Sequence, residues 1–369
     1  MIENIVFVSN NSQFGGSEIL WFELAKNLSK QYRVTAFVNY DHPTLSSQAN
    51  RDLEIINRNS RLSRFEKVKN LFFTKNKQTD LKLFLLKNKP NIVVFSLGAP
   101  FVSLKEMEML VSINQKFVTI NQLISEIHWL GLNEKNYTRF VAAYKSSVMN
   151  YFVSEENLLR FTNMIGDSGR NEVVQNPVSR KSSKSIPYPD STSYFNLAFV
   201  GRFEFYHKGL DLLLTVLEHP EWKKRNVIFN FYGDGPHRVI LEDWIERKEL
   251  NFCKVHSFEE DISEIWQKNQ ILISPSRFEG KSLSITEAGY YGRCTVATNV
   301  GGAMDQIEDG ITGYIIPDLT IVSISYILNK VWDQRSKWRE MGELARQKYI
   351  KEYKLDPIED LLSRIKAYF

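Results

Sequence analysis

Short apolar runs separated by amphipathic stretches follow one another along most of the chain. The first run, residues 4–9, is followed by a glycine-rich loop and by a stretch whose apolar residues recur at helical spacing. Further apolar runs lie at 33–39, 91–98, 116–123 and 148–155. Buried strands that alternate with helices are typical of a parallel sheet covered by helices on both faces. We therefore predict a doubly wound α/β domain over residues 1–180.

A polar stretch rich in serine and proline interrupts this pattern at residues 176–194. It contains too few apolar residues to bury a core, which indicates a linker over 181–194. A second series of apolar runs then predicts another α/β domain over 195–350; its strands are expected at 195–201, 227–233, 254–258, 271–276, 295–299 and 312–316. Residues 322–369 have helical periodicity with Pro357 as the only expected break, and 351–369 are predicted to form a terminal helix.

Composition and charge exclude several classes of protein. The 47 basic and 43 acidic residues give a formal charge of +4, which does not favour nucleic-acid binding. Cys253 and Cys294 are far apart, so neither a disulfide framework nor a zinc site is predicted. The apolar run at the N-terminus is interpreted as a strand rather than a signal peptide, and no run is long enough to span a membrane. We therefore expect a cytoplasmic protein.

One segment departs from this balanced charge. Residues 51–89 contain eleven basic residues against four acidic ones. The apolar residues interleaved with them predict a helix with one apolar and one cationic face, suited to peripheral binding of an anionic membrane surface; they are Leu62, Phe65, Val68, Leu71, Phe72 and Phe73. The alternative is an ordinary solvated face over core contacts.

The strongest candidate for a site is the stretch 271–302, where an apolar strand leads into a charged turn and then a helix. Glu279 lies in the turn, the helix is predicted to begin near Ser282, and the first N–H groups of a helix have no partner within it. The amides of Ser282 and Leu283 could therefore bind an anion such as a diphosphate. Glu287 lies about one turn beyond Leu283 and would face the same ligand. Taken alone, the two glutamates favour an interpretation as surface residues, Glu279 in an exposed turn and Glu287 in the middle of a helix.

Three further motifs in the second domain favour a binding site. Arg202 ends the strand at 195–201 and Lys208 precedes the next helix, so both could form charge-assisted hydrogen bonds with phosphate. Gly233, in the sequence YGDGP, permits close approach of the backbone to a ligand. The sequence VGG at 300–302 allows a tight chain reversal after another strand.

Together these motifs resemble family 4 of the retaining nucleotide-sugar glycosyltransferases, whose donor site carries an E-x7-E signature. Glu279 and Glu287 have that spacing. The other matching motifs occur in the family's order between residues 200 and 313: VGR with a following KG, G-x-GP, SPS-x-x-EG, VGG and DG-x-TG. GGSE at 15–18, the strand FVS at 152–154 and NPV at 176–178 extend the resemblance more loosely to the first domain.

The resemblance implies the GT-B fold, in which two Rossmann-like domains face each other across a cleft and the terminal helix returns to the first domain. It implies that Arg202 and Lys208 bind the donor diphosphate, that Glu279 contacts the transferred sugar and that Glu287 holds the ribose. Ser282 and Leu283 would then bind the distal phosphate. Gly15 and Gly16 would close a loop over the phosphates, and Phe258 would line the base site.

Two departures from the family pattern stand out. Relatives commonly have an aromatic residue and a glycine after EG, where this chain has Lys281 and Ser282, so a cation could contact the donor here. Relatives also place a functional histidine near position 120, where this chain has Asn121 and Gln122. The nearest histidine is His128, a candidate contact to the donor sugar whose alternative is a structural role.

The predicted activity is transfer of a sugar from a nucleoside diphosphate to an acceptor hydroxyl with retention of configuration, in synthesis of a bacterial surface polysaccharide or glycolipid. The acceptor would be a glycan or a lipid-linked glycan. No Asp-x-Asp motif occurs, so no metal or other cofactor is expected, and no G-x-G-x-x-G motif follows the first strand, which counts against an oxidoreductase. The alternatives are other chemistry on this fold, such as a nucleotide-sugar epimerase or a phosphorylase, and a non-catalytic nucleotide-sugar-binding partner subunit.

Overall fold

The computed structural model describes residues 3–12, 14–49, 51–59, 77–101, 103–131, 133–178, 186–190, 193–352 and 356–369. The chain forms two compact units. The first contains Met1–Pro177 and Leu355–Phe369, and the second contains Val178–Lys354. None of the described helices is long and apolar enough to cross a membrane.

The first unit is built on a parallel sheet in the order β3-β2-β1-β4-β5-β6-β7. Its strands are β1 Asn4–Ser9, β2 Arg33–Val38, β3 Leu53–Asn57, β4 Ile92–Leu97, β5 Phe117–Asn121, β6 Met149–Phe152 and β7 Asn171–Val173. Its helices are α1 Gly16–Leu28, α2 Pro43–Gln48, α3 Lys77–Asn88, α4 Leu104–Ser112, the 3-10 helix Glu126–Gly131, α5 Glu134–Lys145 and α6 Glu155–Ile165.

Alternate residues of β1 show why this sheet is covered on both faces. Ile5 and Phe7 lie in one apolar cluster, whereas Val6 and Val8 lie in another. Successive side chains of a strand point to opposite faces, so a strand that is apolar at every position needs a helical layer on each side. The predicted doubly wound α/β sheet is therefore confirmed.

Strand β3 is a feature that the sequence reading missed. It pairs in parallel with β2 from Leu53 to Asn57, inside the segment 51–89 that we treated as one cationic helix. Beyond Leu53 its residues are exposed or only partly buried, which weakened the apolar signal. The interpretation of Arg58 as part of a cationic face is also wrong, because its guanidinium lies 2.6 Å from the carboxylate of Glu106 and its side chain is 8% exposed.

The apolar residues that motivated the membrane-binding helix, Leu62 to Phe73, lie outside the described residues. Within that segment the structure describes residues 51–59, which contain β3, and residues 77–89, which contain α3. Binding of residues 51–89 to an anionic membrane surface therefore stays a prediction.

The second unit is built on a parallel sheet in the order β10-β9-β8-β11-β12-β13. Its strands are β8 Phe195–Val200, β9 Val227–Tyr232, β10 Cys253–His256, β11 Ile271–Ser274, β12 Cys294–Thr298 and β13 Gly313–Ile316. Its helices are α7 Phe205–Lys208, α8 Leu210–Leu217, α9 Pro220–Lys224, α10 Arg238–Arg247, α11 Ile262–Lys268, α12 Leu283–Tyr290, α13 Ala303–Gln306, α14 Ile321–Asp333, the 3-10 helix Arg335–Lys337 and α15 Trp338–Glu352.

The strand order of this sheet reverses between β8 and β11. From β8 the chain continues outward through β9 and β10, whereas β11, β12 and β13 continue in the other direction. The loops that leave the carboxyl ends of β8 and β11 therefore diverge to opposite sides, and such a point in a parallel sheet is where ligands bind. Both loops carry residues that the sequence singled out.

The terminal helix α16, Pro357–Lys366, belongs to the first unit, as the fold prediction required. Ile358, Leu361 and Ile365 are buried in the same apolar cluster as residues of α1. Asp356 caps the helix by accepting a hydrogen bond from the N–H of Ile358 at 2.8 Å. The prediction of a single break at Pro357 is wrong, because a 3-10 turn at Arg335–Lys337 also separates α14 from α15.

Replacing Ile365 by valine tests how firmly α16 is held in the first unit. Ile365 is completely buried, so we expect Ile365→Val to lower the free energy of unfolding by about 0.5–1.5 kcal/mol. Ile350→Val is the matched control, because Ile350 is 53% exposed and its loss of one methylene should have little effect. Urea unfolding measures both, and equal stabilities would contradict docking of α16.

Candidate functional site

The loops that follow β8 and β11 are joined to each other by backbone and side-chain hydrogen bonds. The N–H of Arg277 donates to the carbonyl of His207 at 2.8 Å. The Nε2 of His207 lies 2.7 Å from the carbonyl of Phe278, to which it donates. Burial lowers the pKa of His207, and the charge of Lys208 lowers it further, so the ring is neutral near pH 7. These contacts fix the turn that carries Glu279 against the loop that carries Lys208.

An ion pair between Arg277 and Asp211 clamps the same two loops. Two guanidinium nitrogens of Arg277 lie 2.7 Å from the two carboxylate oxygens of Asp211, and the guanidinium lies 5.2 Å from the ring centre of Tyr206. A planar bidentate pair of this kind fixes the relative orientation of its two side chains in addition to attracting them. The sequence reading missed this pair, although Arg277 directly precedes the turn and Asp211 lies in the first turn of α8.

Glu279 is a partly buried, ionised carboxylate whose side chain is 14% exposed. Its Oε1 accepts hydrogen bonds from Lys208 Nζ at 2.6 Å and from Ser276 Oγ at 2.7 Å. Burial acts to raise the pKa of Glu279, but the charge of Lys208 and these hydrogen bonds outweigh it and hold the pKa below its ordinary value. An ionised carboxylate only accepts hydrogen bonds, so Glu279 can bind a ligand hydroxyl.

The two predicted phosphate-binding cations are both paired with carboxylates. Lys208 contacts Glu279, and Arg202 contacts the carboxylate of Glu204 while its side chain remains 39% exposed. A guanidinium has five N–H donors and an ammonium three, so each retains donors for a second acceptor. The assignment of Arg202 and Lys208 to a diphosphate stays a prediction.

Helix α12 begins as the sequence predicted, with Ser282 at its N-cap and Leu283 as its first residue. The Ser282 side chain does not cap the backbone; its Oγ lies 3.0 Å from the Oγ of Ser284. Gln306 holds the N-cap in place by donating from Nε2 to the carbonyl of Ser282 at 2.8 Å. The helix start is thus positioned by α13 while its own N-cap side chain leaves the first N–H groups uncapped. Lys281 lies between Gly280 and this N-cap, half-buried.

Glu287 lies in α12 and is 8% exposed. Burial raises its pKa to about 8, because the protein interior solvates the charged form poorly. At neutral pH the carboxyl is therefore largely protonated, and in that form it can donate one hydrogen bond as well as accept others. It is suited to contact hydroxyl groups, and its predicted role as the ribose ligand is not tested by this geometry.

The protonation of Glu287 predicts a specific pH dependence of stability. A carboxyl whose pKa is raised from 4.5 to about 8 binds a proton more tightly when folded, so its contribution to stability is complete below about 4.5 and is lost as the pH rises through 8. As the pH rises through this window, the free energy of unfolding of the wild type should fall, relative to that of Glu287→Gln, by up to about 1.4 kcal/mol per pH unit. Urea unfolding of both proteins at pH 5, 6, 7 and 8 measures the difference, with Glu343→Gln as an exposed control. Parallel curves for wild type and Glu287→Gln would contradict the burial argument.

Two glycines allow the loops of this site to lie in direct backbone contact. Gly233 and Gly301 have φ angles of +147° and +55°. A Cβ at Gly233 would overlap the carbonyl of Gly201, and one at Gly301 would overlap the carbonyls of Glu279 and Gly280. Gly233 thus lies in close backbone contact with the loop after β8, and its predicted role in donor binding stays a prediction.

Phe258 is separated from these residues. It follows β10, which lies two strands from β8 in the sheet, and it is 73% exposed. The structure does not bring it into contact with Glu279 or Lys208, so its role at the base site stays a prediction.

The remaining predicted site residues belong to the first unit. Gly15 is the N-cap of α1 and Gly16 its first residue; a Cβ at Gly15 would meet nothing within 4 Å. Glu18, in the same motif, is fully buried and accepts hydrogen bonds from Ser9 Oγ at 2.7 Å and Trp21 Nε1 at 2.8 Å. Its burial raises its pKa. Sequence reading had not assigned Glu18, and the structure shows that it holds the start of α1 against β1.

His128 lies in the 3-10 helix Glu126–Gly131 of the first unit. Its Nδ1 accepts a hydrogen bond from the N–H of Ser125 at 3.0 Å, and burial lowers its pKa to about 4. The imidazole is therefore neutral at physiological pH with its proton on Nε2, so it can donate one hydrogen bond to a ligand.

Comparison with known proteins supports the resemblance to glycosyltransferases. Residues 187–348 match the family model described as "Glycosyl transferases group 1", which is less than half of the 369-residue chain. An uncharacterized 41.2 kDa protein in the cps region of Klebsiella pneumoniae is 33% identical over 132 residues, or 33% of this chain and 32% of that protein. The glycogen synthase of Pseudomonas savastanoi pv. phaseolicola (strain 1448A / Race 6) is 30% identical over 128 residues, or 34% of this chain and 26% of that enzyme. The matched region thus spans about a third or less of these relatives.

Solved structures resemble the whole chain. Anabaena Alr3699/HepE in complex with UDP has a TM-score of 0.78 at 16% identity, covering 99% of this chain and 100% of that one. The same protein in complex with UDP-glucose has a TM-score of 0.75 at 16% identity and the same coverage. A glycosyltransferase from Rickettsia africae ESF-5 has a TM-score of 0.73 at 17% identity, covering 100% and 98%. The resemblance predicted from the sequence is confirmed: residues 187–348 match the model of the glycosyl transferases group 1 family, and the chain as a whole has the GT-B fold.

Proposed function

We propose that this protein is a retaining glycosyltransferase that moves a sugar from a nucleoside diphosphate to an acceptor hydroxyl without a metal ion. The observation that carries the proposal is the ionised, partly buried Glu279, held by Lys208 and Ser276 at the point where the strand order reverses. The N-cap of α12, Ser282, lies three residues after Glu279. A carboxylate that can accept a hydrogen bond from a sugar hydroxyl is therefore close in sequence to a helix N-terminus that can bind an anion.

The roles follow from the charge of each group. Glu279 would accept hydrogen bonds from hydroxyls of the transferred sugar, and the protonated Glu287 would contact the ribose. Arg202, Lys208 and the N–H groups at Ser282 and Leu283 would bind the diphosphate and stabilise the charge that develops on it as the sugar leaves. In this arrangement side chains and a helix N-terminus, rather than a metal ion, would neutralise the negative charge of the diphosphate.

Retention is proposed because the E-x7-E motif of Glu279 and Glu287 resembles that of retaining enzymes. Among the residues that the structure describes we assign no carboxylate as a nucleophile, so we propose same-face attack rather than a covalent sugar intermediate. The acceptor hydroxyl would attack from the face that the diphosphate leaves, and the departing phosphate oxygen would take its proton. One bond from the sugar carbon to phosphate oxygen breaks and one to the acceptor oxygen forms. The anomeric configuration of the product, measured by NMR, tests this step.

The relatives point to a class of substrate. Alr3699/HepE was solved with UDP and with UDP-glucose, which supports a nucleoside diphosphate sugar as donor. A similar protein lies in a cps region and another is a glycogen synthase, which supports a glycan acceptor in polysaccharide synthesis. We propose a glycan or lipid-linked glycan as acceptor and a cytoplasmic site of action.

A thermal-shift screen against nucleoside diphosphate sugars tests the proposal directly. A ligand present at 100 times its dissociation constant adds about 2.7 kcal/mol of stability, so at least one donor should raise the melting temperature. That donor should then give a glycosylated product with a suitable acceptor. Product formation from the donor alone would instead indicate an epimerase, and a protein stabilised by no nucleotide sugar would contradict the proposal.

A further inference from the structure

Gln306, the last residue of α13, is a buried amide in a largely apolar part of the second unit. It is 2% exposed, and its neighbours Ala303 and Ile307 lie in a buried apolar cluster with Ile285 of α12. Burying a polar group costs free energy unless the group finds hydrogen-bond partners. The contacts of the Gln306 amide therefore decide whether this side chain stabilises the fold.

The Gln306 amide is only half satisfied. Its Nε2 donates to the carbonyl of Ser282 at 2.8 Å and to Thr286 Oγ1 at 2.7 Å. Among the residues that the structure describes, its buried Oε1 has no hydrogen-bond partner. Turning the amide over would place Oε1 against the carbonyl of Ser282, and two acceptors cannot bond, so Nε2 must face α12. An apolar side chain of similar size would therefore cost the fold little or nothing.

The position of Gln306 relates it to the proposed site. Gln306, Glu279 and Ser282 line the same small cleft. Natural sequences depart from the rule that buried polar groups are satisfied mainly at functional sites. A half-satisfied glutamine at this cleft therefore points to a role in the site rather than in stability.

The bond from Gln306 fixes the direction of one peptide group. The contacts of Thr286 N–H and Oγ1 with the carbonyl of Ser282 are both 3.2 Å, so the contact with Gln306 is the shortest of the three. A peptide group is planar and trans, so its C=O and N–H point in opposite directions. Because the carbonyl of Ser282 faces α13, the N–H of Leu283 points away from α13. The preceding turn is held from the same side, since the N–H of Gly302 donates to the carbonyl of Gly280 at 2.7 Å.

We propose that Gln306 is a positioning residue for a diphosphate at the start of α12. It holds the carbonyl of Ser282 and thereby aims the N–H of Leu283 at the anion, without touching the ligand itself. Hydrogen-bond donors stabilise negative charge best when their direction is fixed before the ligand arrives. The inference rests on the proposed function, because the diphosphate would be that of the nucleotide donor.

Gln306→Met tests this role. Methionine is similar in size but has no donor, so Ser282 loses its contact with α13 while the free energy of unfolding should stay the same or rise. Calorimetry measures the affinities for UDP, GDP and ADP and for uridine, guanosine and adenosine. We expect the affinity for the diphosphate that binds the wild type to fall about three- to tenfold, while that for its nucleoside stays unchanged.

Gln334→Met is the matched control. Gln334 is a half-buried glutamine of the same unit, directly after α14, and its Oε1 accepts a hydrogen bond from the hydroxyl of Tyr314 at 2.7 Å. Its replacement should change neither affinity. An equal fall in both affinities in Gln306→Met would indicate a general disturbance of the site and overturn the inference, as would an unchanged affinity for the diphosphate. If Gln306→Met does not fold, Gln306→Leu provides the same comparison, and failure of both variants to fold would show a structural role and also overturn it.

Failure of the proposed function looks different. Pyrophosphate is titrated into the wild type and Gln306→Met in parallel. If no nucleoside diphosphate binds the wild type, the proposed function is contradicted, and the inference then stands only if pyrophosphate binds the wild type more tightly than the variant. If nucleoside diphosphates bind both proteins equally, the inference fails and the proposed function stands.

Discussion

Replacing Glu279 by alanine should reduce sugar transfer by about 100-fold or more while the protein stays folded. The variant removes the ionised carboxylate that would bind the sugar, and it also releases Lys208, whose Nζ lies 2.6 Å from Glu279 Oε1. Initial rates with the donor found by the thermal-shift screen measure the effect. The loss should appear mainly in kcat, because the contact is expected to strengthen as the sugar separates from the diphosphate.

Two companion variants make this result interpretable. Glu343→Ala removes an exposed glutamate from α15 of the same unit and should leave the rate unchanged. Arg202→Ala should also abolish transfer and weaken binding of the nucleoside diphosphate itself, whereas Glu279→Ala should retain that binding. Unchanged turnover in Glu279→Ala would remove the central residue of the proposed site.

Gly301→Ala should lower both stability and activity. Gly301 has a φ of +55°, a conformation that costs a residue with a Cβ roughly 1–2 kcal/mol. Its Cβ would also overlap the carbonyls of Glu279 and Gly280, which belong to the turn that carries the proposed sugar ligand. We expect a total loss of about 3 kcal/mol or more in the free energy of unfolding, with a fall in turnover at temperatures where the variant is folded.

Gly310→Ala separates the cost of the positive φ from the cost of the overlap between the Cβ and neighbouring carbonyls. Gly310 has a φ of +77° but no atom within 4 Å of a Cβ placed there, so the variant should lose only the conformational part, roughly 1–2 kcal/mol, and keep its activity. Urea unfolding and initial rates compare the two variants. Equal losses would show that contact between the VGG loop and the Glu279 turn is unimportant.

Periodicity and spacing along the chain predicted most of the fold and where the candidate site of the second unit lies in the sequence. A strand that is apolar throughout must be buried on both faces, so the alternation of such runs with helical stretches was sufficient to predict two doubly wound sheets. The start of α12 at Ser282 and Leu283 followed from a strand, a glycine turn and a helical stretch in sequence order. These signals come from residues close together in the sequence, so they can be recognised without knowing the tertiary structure.

The missed elements lacked such a signal. β7 is only three residues long and none of its residues is buried, so no apolar run marks it. The break between α14 and α15 occurs in a polar stretch without proline or glycine, so no breaker residue marks it.

The sequence by itself thus determined which residue types lie near the carboxyl ends of the strands, and the tertiary structure decided which of them touch. Lys208 and Glu279 are 71 residues apart, and they meet because β8 and β11 are neighbours in the sheet. The same strand order pairs Arg277 with Asp211, and the folding of the first unit brings Gln122 to Asn176, 54 residues away. Burial raises the pKa of Glu287, whereas the charge of Lys208 outweighs burial and lowers that of Glu279. Identical side chains at E-x7-E spacing therefore acquire opposite protonation, because the surroundings of each carboxyl are set by elements distant in sequence.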